Sequence, residues 1–124
     1  MPTGNKKILA VVQDLFFTVK INESAKRAAI PIVFVKSEID AIEKAADQPM
    51  LIIVDLNCTG IDLMHLIEKL KGSPLTKAIP LIAYLSHVQG ELKQQAQAAG
   101  CDMVMARSAF SQNLPQILKR YSGM

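Results

Sequence analysis

LIIVDLN, residues 51–57, decides how the rest of the chain is read. Leu51, Ile52, Ile53 and Val54 run without alternation into one carboxylate, Asp55. A strand wetted on one face alternates apolar and polar residues, whereas one covered on both faces is apolar throughout, as in parallel sheets. The run extends to MLIIV (50–54), and four others share its character: ILAVV (8–12), IVFV (32–35), PLIAY (80–84) and MVM (103–105).

Between these runs the apolar residues take helical spacing. After Asp14, Phe17, Ile21, Ala25 and Ala28 form one stripe. In SEID (37–40), Ser37 and Asp40 have the spacing of a capped helix start, with Ile39 and Ile42 expected on the inner side. Leu63, Leu66, Ile67 and Leu70 line a third helix that stops at GSP, with Asp62 read as its start. ELKQQAQAAG (91–100) makes a fourth, closed by Gly100. The last is expected after Ser111, with Leu114, Ile117, Leu118 and Tyr121 inward and Pro115 in its first turn, where a missing N–H costs little.

Strand and helix thus alternate five times, with no linker or repeat, over 124 residues, the size of one domain with its core at about 7–121. The fold class expected is α/β, an open five-stranded parallel sheet with helices on both faces. In such sheets the functional crevice lies beyond the carboxyl ends of the strands. The residues placed there are Gln13 and Asp14, Lys36 and Ser37, Asp55 to Asn57, Leu85 and Ser86, and Arg107.

Composition excludes several classes. A net charge of +3 with both signs interspersed gives no basic stripe, and Phe and Tyr together number only 6, so nucleic-acid binding is not expected. Cys58 and Cys101 lack a second ligand at metal spacing and are read as free thiols in a reducing compartment. The N-terminal lysines precede an apolar run that QD interrupts too soon for a secretion signal, and no stretch has the length of a membrane span. A cytoplasmic protein is expected. QDLFFT has no glycine to bring backbone N–H groups onto a flavin phosphate, and Asn57 stands where an aspartate-nucleophile phosphatase would want a second acid.

VDLNCTGIDL (54–63), with IP (79–80) before the fourth strand, AAGCD (98–102) before the fifth and the cation Arg107 just after it, resembles the receiver domains of bacterial two-component response regulators, from Lys7 to about Tyr121. The resemblance implies a flavodoxin-like sheet of order 2-1-3-4-5. It also implies a phosphoacceptor at Asp55, supplied by a histidine kinase, a phosphotransfer protein or a small phosphodonor. A carboxylate attacking a phosphoryl group meets like charge, so the family uses Mg²⁺ held by acids and a backbone carbonyl. The matching positions are Asp14, Asp55 and the main chain of Asn57, with Ser86 nearest the family's hydroxyl and Arg107 in place of its lysine.

The chain departs from that template. Gln13 and Asp14 stand where two adjacent acids are expected, or Val12 and Gln13 if the register is one residue earlier; Leu85 holds the hydroxyl's position, Ser108 follows Arg107 in place of proline, and Val104 replaces an aromatic switch. The expectation is a stand-alone module acting by protein contact, a degenerate pseudo-receiver with weak or no Mg²⁺-dependent phosphorylation. It is not expected to be an enzyme. Its downstream partner would meet the face of the fourth helix, fifth strand and fifth helix, with Ala96, Ala98 and Ala99 giving close approach and Lys119 and Arg120 at the rim. The alternative is a small α/β enzyme or ligand-binding domain using Asp55 in the same crevice. Beside these stand plain structural roles: Asp55 capping the turn after its strand or pairing with Arg107, Asp14 as a helix cap, Lys20, Lys26 and Arg27 as a solvated face, and His65 and His87 as surface residues.

Overall fold

The computed structural model describes residues 7–86 and 90–122; residues 1–6, read above for a secretion signal, and His87 lie outside them. Ten elements alternate: β1 (Ile8–Val11), α1 (Leu15–Arg27), β2 (Ile32–Val35), α2 (Glu38–Ala45), β3 (Leu51–Asp55), α3 (Leu63–Gly72), β4 (Leu81–Leu85), α4 (Gly90–Ala99), β5 (Met103–Ala106) and α5 (Arg107–Tyr121). The sheet has the order β2-β1-β3-β4-β5 and every neighbouring pair is parallel. This is the expected doubly wound α/β fold.

Successive side chains of a strand point to opposite faces, so the continuous apolar runs feed two cores at once. Leu9, Val11, Ile52, Val54, Leu81 and Ala83 pack with Ala41, Leu66, Ile67, Leu70 and Ala96 from α2, α3 and α4. Ile8, Ala10, Leu51, Ile53, Ile82 and Tyr84 pack with Phe17, Ile21, Phe110 and Leu118 from α1 and α5. By the same alternation Asp55, two residues after Ile53, faces the α1/α5 layer, as does its neighbour in register, Tyr84.

Local signals start three helices as expected. The side chains of Asp14, Ser37 and Asp62 accept from the backbone N–H of Phe17, Asp40 and His65. Gly100, at φ 115°, closes α4; a Cβ there would lie 2.9 Å from Lys71 Cβ, so both the backbone and the close approach require glycine.

Four expectations are corrected. α5 begins at Arg107 rather than after Ser111, because Phe110 and Leu114 carry the buried stripe back by a full turn ahead of Ile117 and Leu118. Pro115 is therefore interior, where a proline removes a backbone donor and crowds the preceding turn at about 3 kcal/mol or more. The burial of those four residues offsets it. In α2 the inner face is Ala41 and Ala45 with Ile42 packed beside them as expected, but Ile39 is exposed, since residues four apart share a face and Ile39 falls outside that stripe. Ala28 caps α1 and is exposed, beyond the point where the stripe still meets the sheet. β5 is an edge strand, so Met103 and Met105 are only half-buried.

Candidate functional site

The carboxyl ends of β1, β3 and β4 and the start of α5 surround Asp55. Its residue is only 6% exposed, which makes it one of two buried polar residues among those described, Thr76 being the other. Asp55 Oδ1 accepts the backbone N–H of Asn57 at 2.8 Å, and the Asn57 side-chain oxygen accepts the backbone N–H of Ser86 at 2.7 Å. The turn after β3 is thus folded back on the carboxylate and tied to the end of β4. Burial pushes the Asp55 carboxyl above its ordinary range. The Asn57 N–H and the Arg107 charge hold it down, Asp14 adds to the rise, and the Tyr84 hydroxyl lowers it slightly.

Asp14 and Arg107 reach each other but not Asp55 as an ion pair. Asp14 Oδ1 accepts the N–H of Phe17 at 3.2 Å, and Asp14 Oδ2 meets Arg107 Nη1 at 3.3 Å. The guanidinium also lies over the Phe17 ring, 5.3 Å from its centroid. The sequence left two structural roles open for Asp55, capping its turn or pairing with Arg107; in the structure Asp55 caps its turn and Arg107 pairs with Asp14. Both oxygens of Asp14 are engaged by a helix start and a cation.

Gln13 closes the other side. Its amide donates to the Thr59 carbonyl at 2.7 Å and accepts the Thr59 N–H at 3.0 Å, a two-point clamp between β1 and the turn after β3. Val12 is fully buried in the α1/α5 core. The register of Val11 with Val54 puts Val12 beside Asp55, so Val12 and Gln13 terminate the strand and Asp14 belongs to α1. Among the described residues no group of three or more His, Cys, Asp or Glu side chains is arranged to hold a metal.

Leu85 is buried in the α2/α3/α4 core, and Ser86 lies one residue past the strand. Val104 is buried, and the Arg107–Ser108 bond is trans, as are the other described peptide bonds. His65 is half-exposed and is not isolated: its Nδ1 lies 2.6 Å from Glu38 Oε2. Cys58 and Cys101 are free, and burial pushes both thiols up to about 11, with the Asp55 charge adding to the rise at Cys58. No described helix is long and apolar enough to cross a membrane.

Sequence reasoning missed Tyr84. Its ring clusters with Phe110 at 4.7 Å and Phe17 at 5.0 Å, it is 1% exposed, and its hydroxyl is the one buried side-chain polar atom among the described residues without a hydrogen-bond partner. The available signal was a single hydroxyl-bearing residue in an otherwise aliphatic strand, next to the leucine that displaces the expected hydroxyl.

No family model matches the chain, and neither does any curated protein. Solved structures do match. The receiver domain of a sensor histidine kinase from Pseudomonas aeruginosa, described with a magnesium ion coordinated in its active-site cleft, is 20% identical with a TM-score of 0.81, covering 98% of this chain and 100% of its own. The chemotaxis response regulator CheY4 of Vibrio cholerae is 19% identical with a TM-score of 0.79, covering 93% and 97%. A phosphorylated cyanobacterial phytochrome response regulator is 23% identical with a TM-score of 0.76, covering 94% and 91%. At these identities the likeness establishes the fold: the chain has the architecture of response-regulator receiver domains.

Proposed function

We propose that the chain is a receiver-like signalling module of the two-component type, working in the cytoplasm through protein contact, and that it is a pseudo-receiver whose Asp55 crevice does not run a magnesium-dependent phosphorylation cycle. The observation that carries this is the occupation of the acid positions. Mg²⁺ is a hard cation that sheds water reluctantly and needs several anionic oxygen ligands in near-octahedral array. Here Val12 is core, Gln13 is clamped by Thr59, and Asp14 is engaged by the Phe17 N–H and by Arg107. The donor set does not fit the ion.

Without that metal, like charge opposes attack by the Asp55 carboxylate on a phosphoryl group. Ser86 ties the β3 turn down through its N–H, and Arg107 is paired with Asp14. A histidine kinase or phosphotransfer protein remains a docking partner by fold, supported by the apolar side chains exposed at the start of α1, Leu15, Phe16 and Val19.

The downstream partner is placed on the α4-β5-α5 face. Of the alanines expected there, Ala96 is fully buried and Ala99 packs against the core, which leaves Ala98 on the surface of α4. The larger feature is the groove between β5 and α5, lined by Met103, Met105, Gln116, Ile117 and Tyr121 with Arg120 at its rim. Methionine adapts its shape to a partner, and rim cations steer an acidic one without adding much affinity. Nucleic acid and membrane are not proposed as partners.

The test is intact mass after incubation with Mg²⁺ and acetyl phosphate, on the wild type and on Asp55→Asn. The expected result is no phosphoryl adduct on either protein. An adduct on the wild type that Asp55→Asn abolishes would overturn the pseudo-receiver reading and leave a working phosphoacceptor.

A further inference from the structure

A buried hydroxyl without a partner is destabilising, and native structures hold few of them. Tyr84 is therefore a question that the fold itself poses. Its ring is fixed by stacking: Phe110 lies at 4.7 Å and 22° to it, Phe17 at 5.0 Å and 37°. The phenol oxygen can move little, so an acceptor has to come to it.

The acceptor is identifiable. Tyr84 and Asp55 are register neighbours on adjacent parallel strands, with the Leu56 N–H donating to the Tyr84 carbonyl at 2.9 Å just beyond the pair. Both side chains point to the α1/α5 layer. Of the acidic and thiol groups whose charge reaches the phenol, Asp55 acts most strongly, ahead of Cys58 and Asp14. The other two are engaged, Cys58 donating to the Val11 carbonyl and Asp14 taken by Phe17 and Arg107.

We propose that Tyr84 is the positioning residue of Asp55: its hydroxyl donates to the Asp55 carboxylate from the α1/α5 side of the sheet, and takes the part that Leu85, turned into the opposite core, cannot. The Asn57 N–H is given to Oδ1, so Oδ2 is the oxygen that takes the phenol proton. The consequence is a change in where the state of Asp55 is felt. In a site read by a hydroxyl at position 85, the response would enter the α4 side. Here it enters the aromatic cluster of Tyr84, Phe17 and Phe110, and through Phe17 reaches the Arg107 guanidinium that lies over that ring. An apolar side chain at position 55 leaves the hydroxyl without that acceptor and loosens the cluster.

The proposal deepens the reading of the Asp55 crevice but needs neither metal nor phosphoryl group, so its failure is separable from that of the pseudo-receiver. A double-substitution cycle tests it, because Tyr84→Phe keeps the ring and removes only the hydroxyl. If the hydroxyl serves Asp55, Tyr84→Phe lowers the folding equilibrium constant about tenfold in the wild type. In an Asp55→Ala background the loss falls below about threefold. A hydroxyl that truly lacks a partner gives the opposite sign, since removing it is neutral or favourable. An unchanged or raised constant in the wild type, or equal losses in the two backgrounds, overturns the proposal.

The second measurement holds even where Asp55→Ala folds poorly. The Tyr84 hydroxyl proton should give a slowly exchanging NMR signal in the wild type, absent in Tyr84→Phe and displaced in Asp55→Asn together with the Phe17 and Phe110 ring signals. No such signal in the wild type, or ring signals indifferent to Asp55→Asn, would contradict the assignment.

Discussion

The two ends of the sheet use polar groups in opposite ways. At the amino end, Asp102 Oδ2 accepts Lys71 Nζ and the Leu81 N–H, each at 2.8 Å, and Lys71 also donates to the Ile79 carbonyl at 3.0 Å. Lys71 and Asp102 each have their counterparts, and the network ties α3 to the starts of β4 and β5. At the carboxyl end a carboxylate is buried, pushed above its ordinary range, and set beside a sealed hydroxyl without a partner, while the nearest cation is drawn off to Asp14. Equal polarity therefore has unequal meaning: the amino end is complete as structure, and the carboxyl end carries groups that folding alone does not explain.

The sharpest way to break that contrast is to show that the carboxyl end is held by its charges. The structure holds it by rings, so Phe110→Ala, which removes a fully buried member of the aromatic cluster, should cost about 3–5 kcal/mol in urea unfolding. A loss below about 1 kcal/mol would mean that the cluster does not support the site. At the other end, Asp102→Ala strands the Leu81 N–H and the largely buried Lys71 ammonium, and should cost about 2 kcal/mol.

Asp55→Asn sharpens the comparison by its sign. Because burial raises the Asp55 carboxyl, the folded chain holds that proton more tightly than the unfolded chain does. Between the ordinary carboxylate range and the raised one, the folded state binds more protons, so stability falls as pH rises through that window and stays lower above it. Asp55→Asn removes the loss. The variant should be more stable than the wild type at neutral pH, with the gain shrinking as the pH drops toward the ordinary range; equal denaturant midpoints across that span would show that the carboxylate is not strained. The smallest effect is expected from Arg107→Ala. Its pair with Asp14 is about one-third exposed on each side, so the cost should stay under about 1 kcal/mol and shrink further in high salt.

Much of this was legible in the sequence, and for a physical reason. Strand runs covered on both faces, and the helix starts at Asp14, Ser37 and Asp62, are local signals that span a few residues. Asp55 at the end of the central strand followed from them directly. The start of α5 was misplaced because Pro115 reads as a helix beginning when propensity is weighed without the burial of Phe110. What the sequence could not show is pairing at long range: Gln13 with Thr59 across 46 residues, and Arg107 with Asp14 across 93. Those contacts turn a list of residues at strand ends into a site with its cation committed and its amide clamped. Tyr84 escaped for a further reason, since a tyrosine in an apolar strand reads as ring, and only the fold reveals that its hydroxyl is sealed.

The central claim, that the surface offered to partners does not depend on the state of Asp55 as a phosphoacceptor, is tested most directly by amide chemical shifts recorded with and without beryllofluoride and Mg²⁺. Leu85 and Val104 lack the hydroxyl and the ring that would carry a response through β5, and on the proposed reading the clamped Gln13 and engaged Asp14 leave the Mg²⁺ complex no site beside Asp55. The account predicts spectra that coincide outside the immediate surroundings of Asp55. Large shifts spreading from Asp55 through Val104 into residues 112–121 would contradict it and show a working switch.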